Sequence, residues 1–167
     1  MRLAKSPLAE MQEQKAIELA REKAAIEDPS LIACQKTRLL IVDDEETIRQ
    51  VFKRVLAAEF PDLTIDLAVN GLEAMKLFHG GHHGVVLMDL YMPVMNGERA
   101  YGEFERLCEK ERWAMPAIVF CTGYNASQDI RKIVAVNPKH CVLEKPVKNQ
   151  VLVDTIRSRL PAPEPVV

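Results

Sequence analysis

The chain has 167 residues, enough for one domain of common size with a substantial core. Its 22 Lys and Arg nearly cancel its 24 Asp and Glu, so neither nucleic acid nor an anionic lipid surface is expected as a partner. No apolar run approaches the ~20 residues of a membrane span, and the charged, Ala-rich N-terminus lacks the apolar block of a secretory signal, which points to a cytoplasmic protein.

The first 36 residues differ from the rest and are expected to form a helical extension. Ser6-Pro7 is a cap followed by proline in the first turn, Leu8 to Glu27 is rich in good helix formers, and Asp28-Pro29 stops the run. Its apolar stripe of Ala16, Leu19 and Ile26 is thin, so the helix is expected to lie solvated against the domain or to dock on a partner.

From Arg38 a regular alternation begins. Leu39 to Val42 is an apolar run ending in Asp43-Asp44, and Glu45 to Phe60 then repeats Ile48, Val51, Phe52, Val55 and Leu56 at helical spacing. Thr64 to Val69 alternates apolar and polar residues, as a strand at a sheet edge does, and Asn70-Gly71 opens a helix bearing Leu72, Met75 and Phe78. His79, His82 and His83 follow. A metal site there is disfavoured, because the Gly-rich setting reads as an exposed turn with no accompanying carboxylate or cysteine.

Val85 to Met88 is a buried run that delivers Asp89 at its C-terminal end and turns through Leu90-Tyr91-Met92-Pro93 to Asn96-Gly97. A helix from about Glu98 to Arg112 carries Tyr101, Phe104 and Leu107. Ala117 to Cys121 is the fourth strand, ending at Thr122-Gly123, and a short helix with Ile130, Ile133 and Val134 follows. Cys141 to Leu143, then Glu144-Lys145-Pro146, then a helix with Val151, Leu152, Thr155 and Ile156 complete the pattern to residue 160. The Pro-rich tail, 161–167, is expected to be disordered. Cys34, Cys108, Cys121 and Cys141 show no CxxC pair and read as thiols in a reducing compartment.

Successive strand-helix units imply an α/β fold, a five-stranded doubly wound parallel sheet with helices on both faces and a site at the C-terminal strand ends. In the order 2-1-3-4-5, the strands ending in Asp43-Asp44, Asp89, Thr122 and Lys145 are neighbours, and the strand with no chemical group at its end is the edge. Two carboxylates about 5 Å apart repel by roughly 3 kcal/mol at an effective dielectric near 20, so a cation is required. Oxygen ligands without His or Cys point to Mg²⁺. Lys145 and Thr122 add an ammonium and a hydroxyl, and the set suits a phosphoryl group attacked in line by an aspartate oxygen.

On these residues, residues 37–160 resemble the receiver domains of bacterial two-component response regulators, with a flavodoxin-like fold. The resemblance implies that Asp89 takes a phosphoryl group from a sensor histidine kinase or phosphotransfer protein, and that the domain signals to a downstream protein without being an enzyme in its own right. It implies that Asp43, Asp44, Asp89 and the backbone carbonyl of Tyr91 hold Mg²⁺, that Lys145 pairs with the phosphoryl group, and that Thr122 hydrogen-bonds it. Lys145-Pro146 resembles the family's Lys-Pro, whose peptide bond is usually cis, and MPVMNG resembles its MPxMxG loop, with Asn96 where Asp is commoner. A homodimer through 127–160 or the N-terminal helix is a further expectation.

Two positions depart from the family. Val142 stands where a Tyr or Phe usually swings behind the threonine, so readout is expected through shifts around Thr122 and Tyr124 or through direct partner contact. Tyr91 is bulky where the family often has a smaller polar residue, and it either shields the acyl phosphate or packs on the loop. The alternatives are a free-standing regulator or relay shuttle, the receiver portion of a hybrid histidine kinase, a docking module that is not phosphorylated, and a haloacid-dehalogenase-like phosphohydrolase. The last would need Asp-x-Asp after strand one, where this chain has Asp43-Asp44-Glu45.

Overall fold

The computed structural model describes residues 7, 8, 10–15 and 30–161. Residues 7, 8 and 10–15 are helical, as the N-terminal pattern predicts; the rest of that predicted helix and the Pro-rich tail beyond Pro161 lie outside the described residues.

Strands and helices alternate strictly. They are β1 (Gln35–Val42), α1 (Glu46–Glu59), β2 (Thr64–Ala68), α2 (Gly71–Gly81), β3 (His83–Asp89), α3 (Gly97–Glu111), β4 (Ala117–Thr122), α4 (Gln128–Val136), β5 (Cys141–Glu144) and α5 (Asn149–Arg157). All strand pairs are parallel and the order is β2-β1-β3-β4-β5, as predicted.

Because strand side chains alternate between faces, each run feeds two cores. Leu40, Val42, Val86, Met88, Ile118 and Phe120 pack with Phe78, Phe104 and Ile130 on one face. On the other, Leu39, Ile41, Val85, Leu87 and Val119 pack with Phe52, Leu56, Leu152 and Ile156. Three helix starts are fixed by side-chain caps: Asn70 accepts from Glu73 N, Asn96 from Arg99 N and Ser127 from Ile130 N.

Some predicted faces shift. Val51, Val69 and Leu72 are exposed, and α2 buries the smaller Gly71, Ala74 and Gly81 beside Phe78, so that this helix sits close to its neighbours. β1 begins at Gln35, before the predicted Leu39, because its first residue pairs with His83 at the start of β3. Ahead of it, Ile32 bridges to Trp113, donating from its N–H to the Arg112 carbonyl (2.8 Å) and accepting from Ala114 N (2.7 Å).

The predicted exposed histidine turn is corrected. His79 is exposed, but His82 and His83 are buried. His83 Nε2 lies 2.6 Å from Asp66 Oδ2, and His82 Nε2 lies 3.4 Å from Cys34 Sγ. The carboxylate and the thiol that the local sequence lacks arrive from β2 and from the lead into β1, far away along the chain.

Candidate functional site

β1 ends between β2 and β3, where the chain reverses its direction of winding, so the crevice at the C-terminal strand ends is the natural site. The predicted groups meet there. Asp43, Asp44 and Asp89 each offer a carboxylate oxygen within 4.8 Å of the others. Among the described residues no other group of His, Cys, Asp or Glu is set to hold a metal ion in this way. Asp43 and Asp89 are buried and Asp44 is exposed, which leaves the cluster open to solvent on one side.

Lys145 comes from the loop after β5, reaching past the end of β4. Its Nζ is 2.6 Å from Asp43 Oδ2 and 3.2 Å from Asp89 Oδ2. The remaining oxygens are held by the backbone: Asp43 Oδ1 accepts from Glu45 N at 2.9 Å and Asp89 Oδ1 from Tyr91 N at 3.2 Å. Arg49, in the first turn of α1, donates to the Asp43 carbonyl at 2.7 Å. Sequence reasoning missed Arg49; its only signal is that it lies one to two turns past the paired acids.

Burial holds the Asp89 carboxyl above the usual range, and the neighbouring Asp43 charge adds to this, against the Tyr91 N–H and the Lys145 ammonium. For Lys145, burial alone would push the ammonium down, but the hydrogen bond to Asp43 and the charges of both aspartates outweigh it, and the net shift is upward. One ammonium thus faces three carboxylates. The cluster fits a hard divalent cation, because all its donors are oxygens and it carries surplus negative charge.

Thr122 ends β4 and is buried, one residue past Cys121, which registers with Asp89. Its Oγ1 accepts from Tyr124 N at 3.1 Å, and its carbonyl accepts from Lys145 N at 2.8 Å, tying the two loops together. The Lys145-Pro146 bond is cis. Gly97 closes the loop after Asp89: its N–H donates to the Leu90 carbonyl at 2.9 Å, and a Cβ there would overlap the Asp89 carbonyl oxygen. Val94, in the same loop, has φ 69° and is exposed.

Tyr91 packs on a neighbouring loop. Its ring meets that of Tyr124 edge to face, with centroids 5.2 Å apart, and both rings are largely exposed above the site. Val142, on β5, registers with Phe120 of β4, and its aliphatic side chain puts no ring at that position.

A family model for the response regulator receiver domain matches residues 39–157. The chain is 30% identical over 125 residues to the chemotaxis protein CheY of Halobacterium salinarum, covering 75% of this chain and 98% of that protein. It is 31% identical over 121 residues to the positive alginate biosynthesis regulatory protein of Pseudomonas aeruginosa, covering 71% of this chain but 45% of that relative. A solved structure of the response regulator TrrA from Thermotoga maritima, in complex with Mg²⁺-BeF, matches with a TM-score of 0.59 at 28% identity, over 74% of this chain and 99% of that one.

Proposed function

The chain belongs to the response regulator receiver domain family of two-component systems, and from that membership we propose that Asp89 is its phosphoacceptor. The observation that carries the reading is the Asp89 carboxylate at the end of β3, 3.2 Å from the Lys145 ammonium and within reach of Asp43 and Asp44.

A carboxylate oxygen of Asp89 attacks the phosphorus of a phosphohistidine on a sensor kinase or phosphotransfer protein. The P–O bond forms as the P–N bond breaks, and the bonding pair leaves with the imidazole nitrogen. Lys145 offsets the charge gathered on the phosphoryl oxygens, and the Thr122 hydroxyl donates to one of them. Asp43, Asp44, Asp89 and the Tyr91 carbonyl would hold Mg²⁺, which supplies Lewis-acid neutralisation of those oxygens when bound. Arg49 and the Glu45 N–H keep Asp43 in place.

Residues 37–160 form the receiver unit in this reading, and 1–36 an extension. The signal passes to a protein target, without an aromatic at position 142, through the loop that joins Thr122 to Tyr124. That TrrA, which is similar to this chain, was solved in complex with Mg²⁺-BeF supports a Mg²⁺ site here.

Intact-mass measurement of the full chain after incubation with a phosphorylated kinase, or with acetyl phosphate, tests this. One phosphoryl group is expected, dependent on Mg²⁺ and absent in Asp89→Asn. An unmodified chain with a competent donor, or a modification that survives Asp89→Asn, overturns it.

A further inference from the structure

The N-terminal ends of the strands, opposite the acidic crevice, hold a cavity of about 460 Å³. That is within the range of small-ligand sites. Its walls are apolar at Met115, Pro138 and Leu160, and Lys36, Lys139 and Arg159 line it, with no acidic residue among the lining residues. Their field is felt nearby: burial lowers the pKa of His140, and the charges of Arg159 and Lys139 lower it further.

Cys34 also lines this cavity. Its Sγ is 3.4 Å from His82 Nε2 and 3.2 Å from the Ala114 carbonyl, and Nε2 is 3.0 Å from the same carbonyl. The His82 ring lies flat on Trp113, with centroids 4.2 Å apart and an interplanar angle of 16°, which fixes where Nε2 points. The Nε2–H donates to the Ala114 carbonyl and also lies within reach of the sulfur. The other thiols are poorly placed to react. Cys108 and Cys121 are buried, and burial pushes each up to about 12, while burial also raises Cys141.

We propose that Cys34 is a thiol–disulfide exchange site whose cation-lined cavity selects small anionic disulfides, those carrying carboxylates on a compact body. The Sγ proton is lost to solvent, the His82 Nε2–H donates to the thiolate so formed, and the thiolate attacks one sulfur of the disulfide. A new S–S bond to Cys34 forms as the old one breaks. The departing thiolate leaves with the bonding pair and takes up a proton from solvent. One disulfide is consumed and one is made, so no further oxidant is needed.

The test compares oxidised glutathione, which is anionic, with neutral 2-hydroxyethyl disulfide, using the full chain at low salt and mapping the adduct by peptide mass. The first equivalent is expected on Cys34, with the anionic reagent favoured by about 10-fold over its ratio on the urea-unfolded chain. Lys36→Gln with Arg159→Gln should erase that preference while Cys34 is still labelled, and His82→Phe should slow both reagents alike. A first adduct on Cys141, Cys108 or Cys121, or a charge preference that the double substitution leaves unchanged, overturns the proposal. The double variant leaves Cys34 and His82 in place and keeps the test valid even where His82→Phe fails to fold; Arg159→Gln retains an amide donor toward the Lys139 carbonyl.

Discussion

The Lys145 ammonium stands 3.2 Å from the Asp89 carboxylate although their elements are not neighbours in the sheet: β4 runs between β3 and β5, and it ends at Thr122, low enough for the lysine to cross over it. The same ammonium is closer to Asp43, at 2.6 Å, so one cation serves two buried carboxylates.

That imbalance predicts a stabilising substitution at the proposed phosphoacceptor. Burial and the Asp43 charge raise the Asp89 pKa, so its ionised form is worse tolerated in the folded chain than in the unfolded one. A carboxyl raised in this way adds stability below its unfolded value, and that stability is lost as pH rises through its folded value. At pH 7 without Mg²⁺, Asp89→Asn is therefore expected to raise stability by on the order of 1 kcal/mol. The gain should vanish near pH 3, as read by urea denaturation. Magnesium should narrow the difference by stabilising only the native acid.

His140 gives the opposite sign. It is buried, its Nδ1 accepts from Ile118 N at 3.0 Å, and burial, with Arg159 and Lys139, lowers its pKa to about 4. A histidine depressed below its unfolded value near 6.5 adds stability above that value, and this is lost as pH falls toward 4. The loss over that window should approach 3 kcal/mol, to order of magnitude. His140→Asn keeps an acceptor for the Ile118 N–H, and the difference between the two proteins' pH profiles isolates the histidine.

Gly97→Ala should damage site and fold together. Its Cβ would overlap the Asp89 carbonyl and lie 3.0 Å from Leu90 Cα, both of which are backbone and cannot swing away. A loss of about 2 kcal/mol or more is expected, with the proposed phosphorylation of Asp89 slowed well beyond what stability alone explains.

Val94 offers relief of strain. A β-branched residue at φ 69° is held in the left-handed region, which disfavours it by ~1–2 kcal/mol. Glycine gives back part of that gain through its freer unfolded chain. Val94→Gly is expected to raise stability by roughly 0.5 kcal/mol, measurable as a higher denaturation midpoint at unchanged slope.

The Tyr91 and Tyr124 rings should prove coupled. Edge-to-face pairs contribute about 0.5–1.5 kcal/mol beyond area burial, and exposure of both rings places this one at the low end. A double-mutant cycle of Tyr91→Ala and Tyr124→Ala should give a non-zero interaction energy, and additive effects would show that the rings act separately.

Much of this molecule can be read along the chain, because its organising signals are local. Apolar runs such as Val85 to Met88, helical spacing such as Phe52 and Leu56, and polar residues at four strand ends together specify the alternation, the sheet order and the crevice. Sequence period sets which face a residue occupies, and strand direction sets which end it reaches. What tertiary structure alone decided is partnership between groups distant in sequence. His82 and His83 sit in a Gly-rich stretch that looks exposed, yet folding brings Cys34 and Asp66 against them. Arg49 is one charged residue among several until it meets the Asp43 carbonyl, and the Tyr91 ring has two readings until Tyr124 stands beside it. Residue type and spacing encode a local tendency, whereas a hydrogen bond or a ring contact depends on ångström-scale distances that only the packed sheet and its loops define.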